Sequence, residues 1–134
     1  MKPSGDTSKK DPSWKDVCSA DDLQPNSGVC VLVEGQQVAI FFLVKENAVY
    51  AIHNYDPIGR ANVLSRGVIG DIKGEPVVAS PLYKQHFNLK TGVCIEDGQI
   101  TVLVYPIRIY NGRVEIQVTV QEVIEAPAHE EANV

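Results

Sequence analysis

Apolar residues along this chain recur at every second position or in short unbroken runs, and turn-forming Gly, Asn, Asp and Pro interrupt them at close intervals. A period of two puts alternate side chains on opposite faces of a strand, whereas a helix repeats its apolar positions every three or four residues. The pattern predicts nine short strands, over 14–18, 29–33, 38–44, 49–52, 76–79, 85–88, 100–104, 107–110 and 113–118. Their connectors include Glu34-Gly35, Lys45-Glu46-Asn47, Lys90-Thr91-Gly92, Asp97-Gly98 and Asn111-Gly112. The last of these predicts a hairpin over 107–118, because both central positions of a type I′ turn need φ > 0. In its second arm Val114, Ile116 and Val118 face one way and Arg113, Glu115 and Gln117 the other.

Helix signals are sparse. Ser19 is placed to cap one turn, Ala20-Asp21-Asp22-Leu23, which Pro25 ends. Many short strands with frequent turns predict an all-β fold, an antiparallel β-sandwich or small barrel. The interval 53–71 breaks the rhythm with turn formers and no periodicity, and is expected to be a long irregular loop with a functional role. A second irregular stretch, 80–84, contains Pro81 and lies between strands. Two such loops, fed by neighbouring strands, are expected to form one end of the sandwich.

The 134 residues suit one domain. Residues 1–12 have almost no apolar side chain and are expected to be a disordered N-terminal segment, residues 13–120 the folded β domain, and residues 121–134 an acidic C-terminal tail. The longest apolar run, Val38 to Val44, is far below the roughly twenty residues of a spanning helix. The N-terminus has charge without an apolar stretch behind it, so a secretory signal is not expected and a cytoplasmic location is. Cys18, Cys30 and Cys94 match neither Cys-x-x-Cys metal pairs nor a disulfide framework, and are expected to be reduced core residues.

A net charge of −5 argues against a nucleic-acid or anionic-membrane binder. The distribution is uneven, because residues 53–90 carry five cations, Arg60, Arg66, Lys73, Lys84 and Lys90, against three carboxylates. These cations form either a solvated face or a docking surface for a more acidic partner. His53 and His86 flank the two loops without metal-ligand spacing, and His129 lies in the tail. No nucleophile motif, phosphate-binding glycine loop or acid-base pair stands out, so a self-sufficient enzyme is not expected.

The run Tyr50-Ala-Ile-His-Asn-Tyr-Asp-Pro-Ile-Gly, then Asn62-Val-Leu-Ser-Arg-Gly67, Pro76-Val-Val-Ala-Ser-Pro-Leu-Tyr83 and Phe87-Asn-Leu-Lys-Thr-Gly92, resembles a Rieske iron–sulfur domain over about residues 13–120. That family reads Cys-Pro-His in its first loop and Cys-Pro-x-His in its second. Registered on Pro57 and Pro81, the resemblance puts Asp56 and Ile58 in the first pair of ligand positions and Ser80 and Tyr83 in the second. A Rieske centre needs two thiolates on one iron and two imidazoles on the other, so vacated cluster positions and no cluster are expected.

With Gly70-Asp71 and Ser80-Pro-Leu-Tyr-Lys-Gln-His-Phe87, the chain further resembles the small-subunit family of assimilatory NAD(P)H-dependent nitrite reductases. That resemblance implies a non-catalytic role beside a large subunit, which carries FAD, siroheme and an iron–sulfur cluster, in reducing nitrite to ammonium. The alternatives are an electron carrier with an atypical cluster and a free-standing β-barrel binding module. For Asp56 two roles stay open: an Asx turn capping backbone N–H groups, and a polar network with Ser80 and Tyr83 where the loops converge.

Overall fold

The structure is a computed structural model that describes residues 14–118. In chain order it contains β1 (Trp14–Ser19), a 3₁₀ turn (Ala20–Asp22), β2 (Ser27–Val33), β3 (Gln36–Leu43), β4 (Ala48–His53), β5 (Tyr55–Asp56) and β6 (Ala61–Asn62). A second 3₁₀ turn (Leu64–Arg66) is followed by β7 (Val68–Ile72), β8 (Glu75–Ala79), β9 (His86–Asn88), β10 (Val104–Tyr105), β11 (Ile107–Tyr110) and β12 (Arg113–Gln117). The ladders are antiparallel and build three sheets, β1-β12-β11, β10-β4-β3-β2 and β7-β8-β9, with β5 and β6 as a separate ribbon. The all-β, antiparallel expectation holds.

β3 shows why the sheets stack. Its odd positions, Ala39, Phe41 and Leu43, pack with Ile52, Leu64, Val78, Phe87 and Leu89 between the central sheet and β7-β8-β9. Its even positions Val38 and Ile40 pack with Leu23, Val33, Ala51, Tyr105, Val114 and Ile116 on the other side, against β1-β12-β11. A strand buried on both faces has no polar face to show, which accounts for the unbroken apolar run. The result is three layers sharing one central strand.

The turns follow their chemistry. Asn111-Gly112 has φ of 53° and 77°, as the hairpin expectation requires, and Glu34-Gly35 (51°, 80°) and Lys73-Gly74 (53°, 83°) repeat the geometry between β2 and β3 and between β7 and β8. Ser19 caps its 3₁₀ turn, its hydroxyl accepting from Asp21 N–H at 3.1 Å while Asp22 accepts from Ser19 N–H.

Three expectations need correction. The interval 53–71 is not one irregular loop: it contains the β5–β6 ribbon, the second 3₁₀ turn and most of β7. β7 escaped the alternation test because Gly70 breaks it and Val68 is exposed on a sheet edge, so pairing with β8 rather than burial makes it a strand. The strand expected at 100–104 shrinks to Val104–Tyr105, its earlier part held by a single bridge, Val93 to Thr101, and by Val102 N–H to Gly92 C=O at 2.9 Å. Of the cysteines only Cys94 lies in the core; Cys18 is half-buried and Cys30 exposed on the outer strand β2. The expectations for residues 1–12 and 121–134 lie outside the described residues.

Candidate functional site

Two loops meet at one end of the β7-β8-β9 sheet, and they are built on one plan. The first runs Asp56-Pro57-Ile58-Gly59-Arg60 between β5 and β6; the second runs Ser80-Pro81-Leu82-Tyr83-Lys84 between β8 and β9. Each begins with a short polar residue before proline, which holds that residue extended and frees its side chain to fold back on the following amides. Asp56 Oδ1 accepts from Ile58 N–H at 2.8 Å and Gly59 N–H at 3.0 Å. Ser80 Oγ accepts from Leu82 N–H at 3.2 Å. Each loop closes with an amide four residues on, Arg60 N–H to Asp56 C=O at 2.6 Å and Lys84 N–H to Ser80 C=O at 3.1 Å. Each ends on a cation in the left-handed region, Arg60 at φ 63° and Lys84 at φ 68°. That conformation costs a non-glycine residue on the order of 1 kcal/mol.

One hydrogen bond joins the loops. The Ser80 hydroxyl donates to Asp56 Oδ2, and both residues are fully buried. Asp56 therefore performs both roles left open for it, Asx turn and network, with Ser80 as its side-chain partner. Tyr83 is outside the network: it is 63% exposed. Gly59 lets the loops close to this distance, since a Cβ there would lie 2.5 Å from Leu82 Cδ1 and 2.9 Å from Asp56 Oδ2. Gly59 and Leu82 had not been singled out from the sequence. The glycine three residues after an Asp-Pro start was the available signal for one; nothing local marked the other.

The five cations divide. Arg60 and Lys84 close the two loops, and Arg66 precedes Gly67, whose backbone packs against the Ala79 carbonyl beside Ser80. Lys73 lies in the β7–β8 turn, and Lys90 Nζ stands 3.9 Å from Glu75 Oε1, at the start of β8. From Glu75 to Ser80 the strand covers about 16 Å, so Lys73 and Lys90 sit at the opposite end of the sheet.

The flanking histidines differ. His53 is half-buried, its ring edge-on to Tyr55 with centroids 6.4 Å apart, and burial lowers its pKa below the ordinary 6.5. His86 Nδ1 lies 2.6 Å from Glu96 Oε2, and its backbone N–H donates to Glu96 Oε1 at 2.8 Å.

The donors do not fit a Rieske cluster. Such a centre takes two thiolates and two imidazoles, and the loops offer a carboxylate already committed to three donors, an alcohol committed to that carboxylate, a phenol turned outward and Ile58, which has no lone pair. The three thiols, Cys18, Cys30 and Cys94, lie outside both loops, and burial raises the pKa of each. Among the described residues no three His, Cys, Asp or Glu side chains gather as a metal site.

A family model for the Rieske-like [2Fe-2S] domain matches residues 13–117. The nitrite reductase (NADH) small subunit of Escherichia coli K12 is 47% identical over 104 residues, covering 78% of this chain and 96% of that protein. The NMR structure of the E. coli protein NirD superposes with a TM-score of 0.73 at 47% identity, over 78% of this chain and 96% of that one. The nitrite reductase [NAD(P)H] large subunit of Klebsiella oxytoca is 39% identical over 101 residues, 75% of this chain but 10% of that protein. A Rieske-like fold whose loops are clasped by a carboxylate and an alcohol, at this level of identity across nearly the whole of a relative, places the chain in the nitrite reductase (NADH) small-subunit family.

Proposed function

We propose that the protein is the non-catalytic small subunit of a cytoplasmic NADH-dependent nitrite reductase, acting in the reduction of nitrite to ammonium during nitrate assimilation. Its partner is the large subunit, to which FAD, siroheme and the iron–sulfur cluster belong. In this reading Asp56, Ile58, Ser80 and Tyr83 stand where a Rieske domain has its ligands, and the chain contributes binding energy rather than a redox centre. The observation that carries it is the Asp56–Ser80 hydrogen bond: a carboxylate whose oxygens are taken by two amides and a hydroxyl holds the loops together by itself, a task a cluster would otherwise perform. The Klebsiella relationship supports the choice of partner, since a segment similar to this chain forms part of a large-subunit polypeptide.

The test is co-expression with the large subunit, followed by purification on a tag carried by this chain alone. The expected result is a complex with the flavin and siroheme protein, NADH-dependent nitrite reduction that declines when this chain is omitted, and no iron on this chain purified separately. Two irons per chain, with the paramagnetic signal of a reduced diiron centre, would overturn the reading in favour of an electron carrier. Failure to bind the large subunit would overturn it in favour of a free-standing binding module.

A further inference from the structure

The outer surface beside the two loops combines exposed apolar side chains with cations. Seven large apolar side chains are exposed among the described residues: Leu32, Val44, Val68, Leu82, Tyr83, Ile95 and Ile109. Register places two of them, Val68 and Ile95, on one rung, and two more, Leu82 and Tyr83, lie in the loop that joins the two middle strands of that rung. Val68 pairs with Ala79, Ala79 with His86, and the Ile95 amide donates to the His86 carbonyl at 2.8 Å, so these residues form one rung across the end of the sheet. Cross-strand partners share a face. The next rung inward, Val78, Phe87 and Cys94, faces the core, which turns the Val68–Ala79–His86–Ile95 rung outward. Ala79 leads into Ser80 and Gln85 precedes His86, so the loop bearing Leu82 and Tyr83 leaves and re-enters the sheet at the two middle residues of this rung. Leu82 is 45% and Tyr83 63% exposed although they are adjacent, in a loop whose geometry is fixed by four hydrogen bonds. A rigid aromatic and a leucine held out of the core lose little freedom on binding, which is what an interface anchor requires.

Charge names the partner. Arg60, Arg66 and Lys84 border the patch, and among the described residues none of them has a carboxylate within ion-pair distance. Of the two exposed carboxylates that follow Ile95, Glu96 is held by His86 and Asp97 accepts from Gln99 N–H at 3.1 Å. Three unpaired cations around an apolar patch, on a chain of net charge −5, are an asymmetry that solubility does not call for. We infer that Leu82 and Tyr83, with Val68 and Ile95 beside them, form the anchor by which this chain seats in an apolar recess of the large subunit, and that carboxylates around that recess meet Arg60, Arg66 and Lys84. The inference rests on the small-subunit reading. It excludes Lys73 and Lys90 from the interface, since they lie at the far end of the sheet.

The experiment measures affinity and association rate of the purified chain for the cofactor-loaded large subunit. Tyr83→Ser and the Leu82→Ser/Tyr83→Ser pair are expected to weaken binding by about 30-fold or more, the effect of losing a buried anchor. Arg60→Glu/Lys84→Glu is expected to slow association about tenfold at low salt and to remove most of its salt dependence. Lys73→Glu/Lys90→Glu and Leu32→Ser, on other surfaces, are expected to change binding less than twofold. Thermal melts of each variant confirm folding, and Tyr83→Ser, which removes no buried contact, keeps the test decisive if the double variant melts early. Wild-type binding with tip variants unchanged overturns this inference and leaves the small-subunit reading standing. No wild-type binding overturns both, and capture of the wild type by phosphatidylglycerol vesicles in its place would assign the tip to a membrane surface.

Discussion

The first and second loops share a backbone plan and differ in what they do with their side chains. Both open with a polar residue before proline and close on a left-handed cation. Yet the first turns its functional atoms inward, where Asp56 accepts three hydrogen bonds at zero exposure, while the second sends Leu82 and Tyr83 outward. One geometry can therefore serve as a structural clasp or as a presented surface, and the difference lies in which position carries the group that needs satisfying. A carboxylate must find donors wherever it is buried, because an unpaired one is far more expensive than an unpaired hydroxyl.

The sharpest way to break this comparison is to remove the polar residue from each loop in turn. Asp56→Ala strands the amides of Ile58 and Gly59 and the Ser80 hydroxyl, and is expected to cost about 3–5 kcal/mol in urea unfolding. Ser80→Ala loses one donor and one acceptor and is expected to cost about 1–2 kcal/mol. Equal losses would show that the loops contribute alike. Gly59→Ala comes next, at about 1–2 kcal/mol, since the new methyl must displace Leu82 and press on Asp56, whereas Gly98→Ala meets nothing within 4 Å. Tyr83→Ser sharpens the other side, with a stability change below about 0.5 kcal/mol in the isolated chain.

The smallest effect is read by pH, at His53. Burial lowers the pKa of His53 in the folded protein, so below the ordinary 6.5 the unfolded chain takes up a proton that the folded one resists. The stability tied to a neutral His53 is thus complete above that pH and declines as pH falls from it towards the folded value. His53→Gln is expected to flatten the decline that sets in below about pH 6.5, read from melts at each pH.

Much of the fold was legible because strands reveal themselves by alternation and hairpins by their turns. Val114, Ile116 and the Asn111-Gly112 turn gave the last hairpin from a dozen residues. β7 was not legible that way, since its stability comes from partners on β8 across the Lys73-Gly74 turn. The shortening of 100–104 has the same cause in reverse: a suitable pattern at Ile100 and Val102 found only an isolated bridge to pair with. In the candidate site, the resemblance picked out Asp56 and Ser80, but not that one would hold the other while Tyr83 turned to solvent.

Local chemistry by itself determined the strands with clear alternation and the type I′ turn at Asn111-Gly112, offered Asp56 an Asx turn as one of two roles, and left the family resemblance to mark the positions around Pro57 and Pro81 that carry neither thiol nor imidazole. Each depends on residues within a few positions of one another, where sterics and amide geometry leave little choice. Only the tertiary structure decided that residues 24 positions apart would share a buried hydrogen bond, that five cations of one basic stretch would part to two ends of a sheet, and that Val68, Leu82, Tyr83 and Ile95 would gather on one surface. Those outcomes are set by strand register and layer packing, which balance the whole chain's burial against its entropy and leave no trace in any single segment.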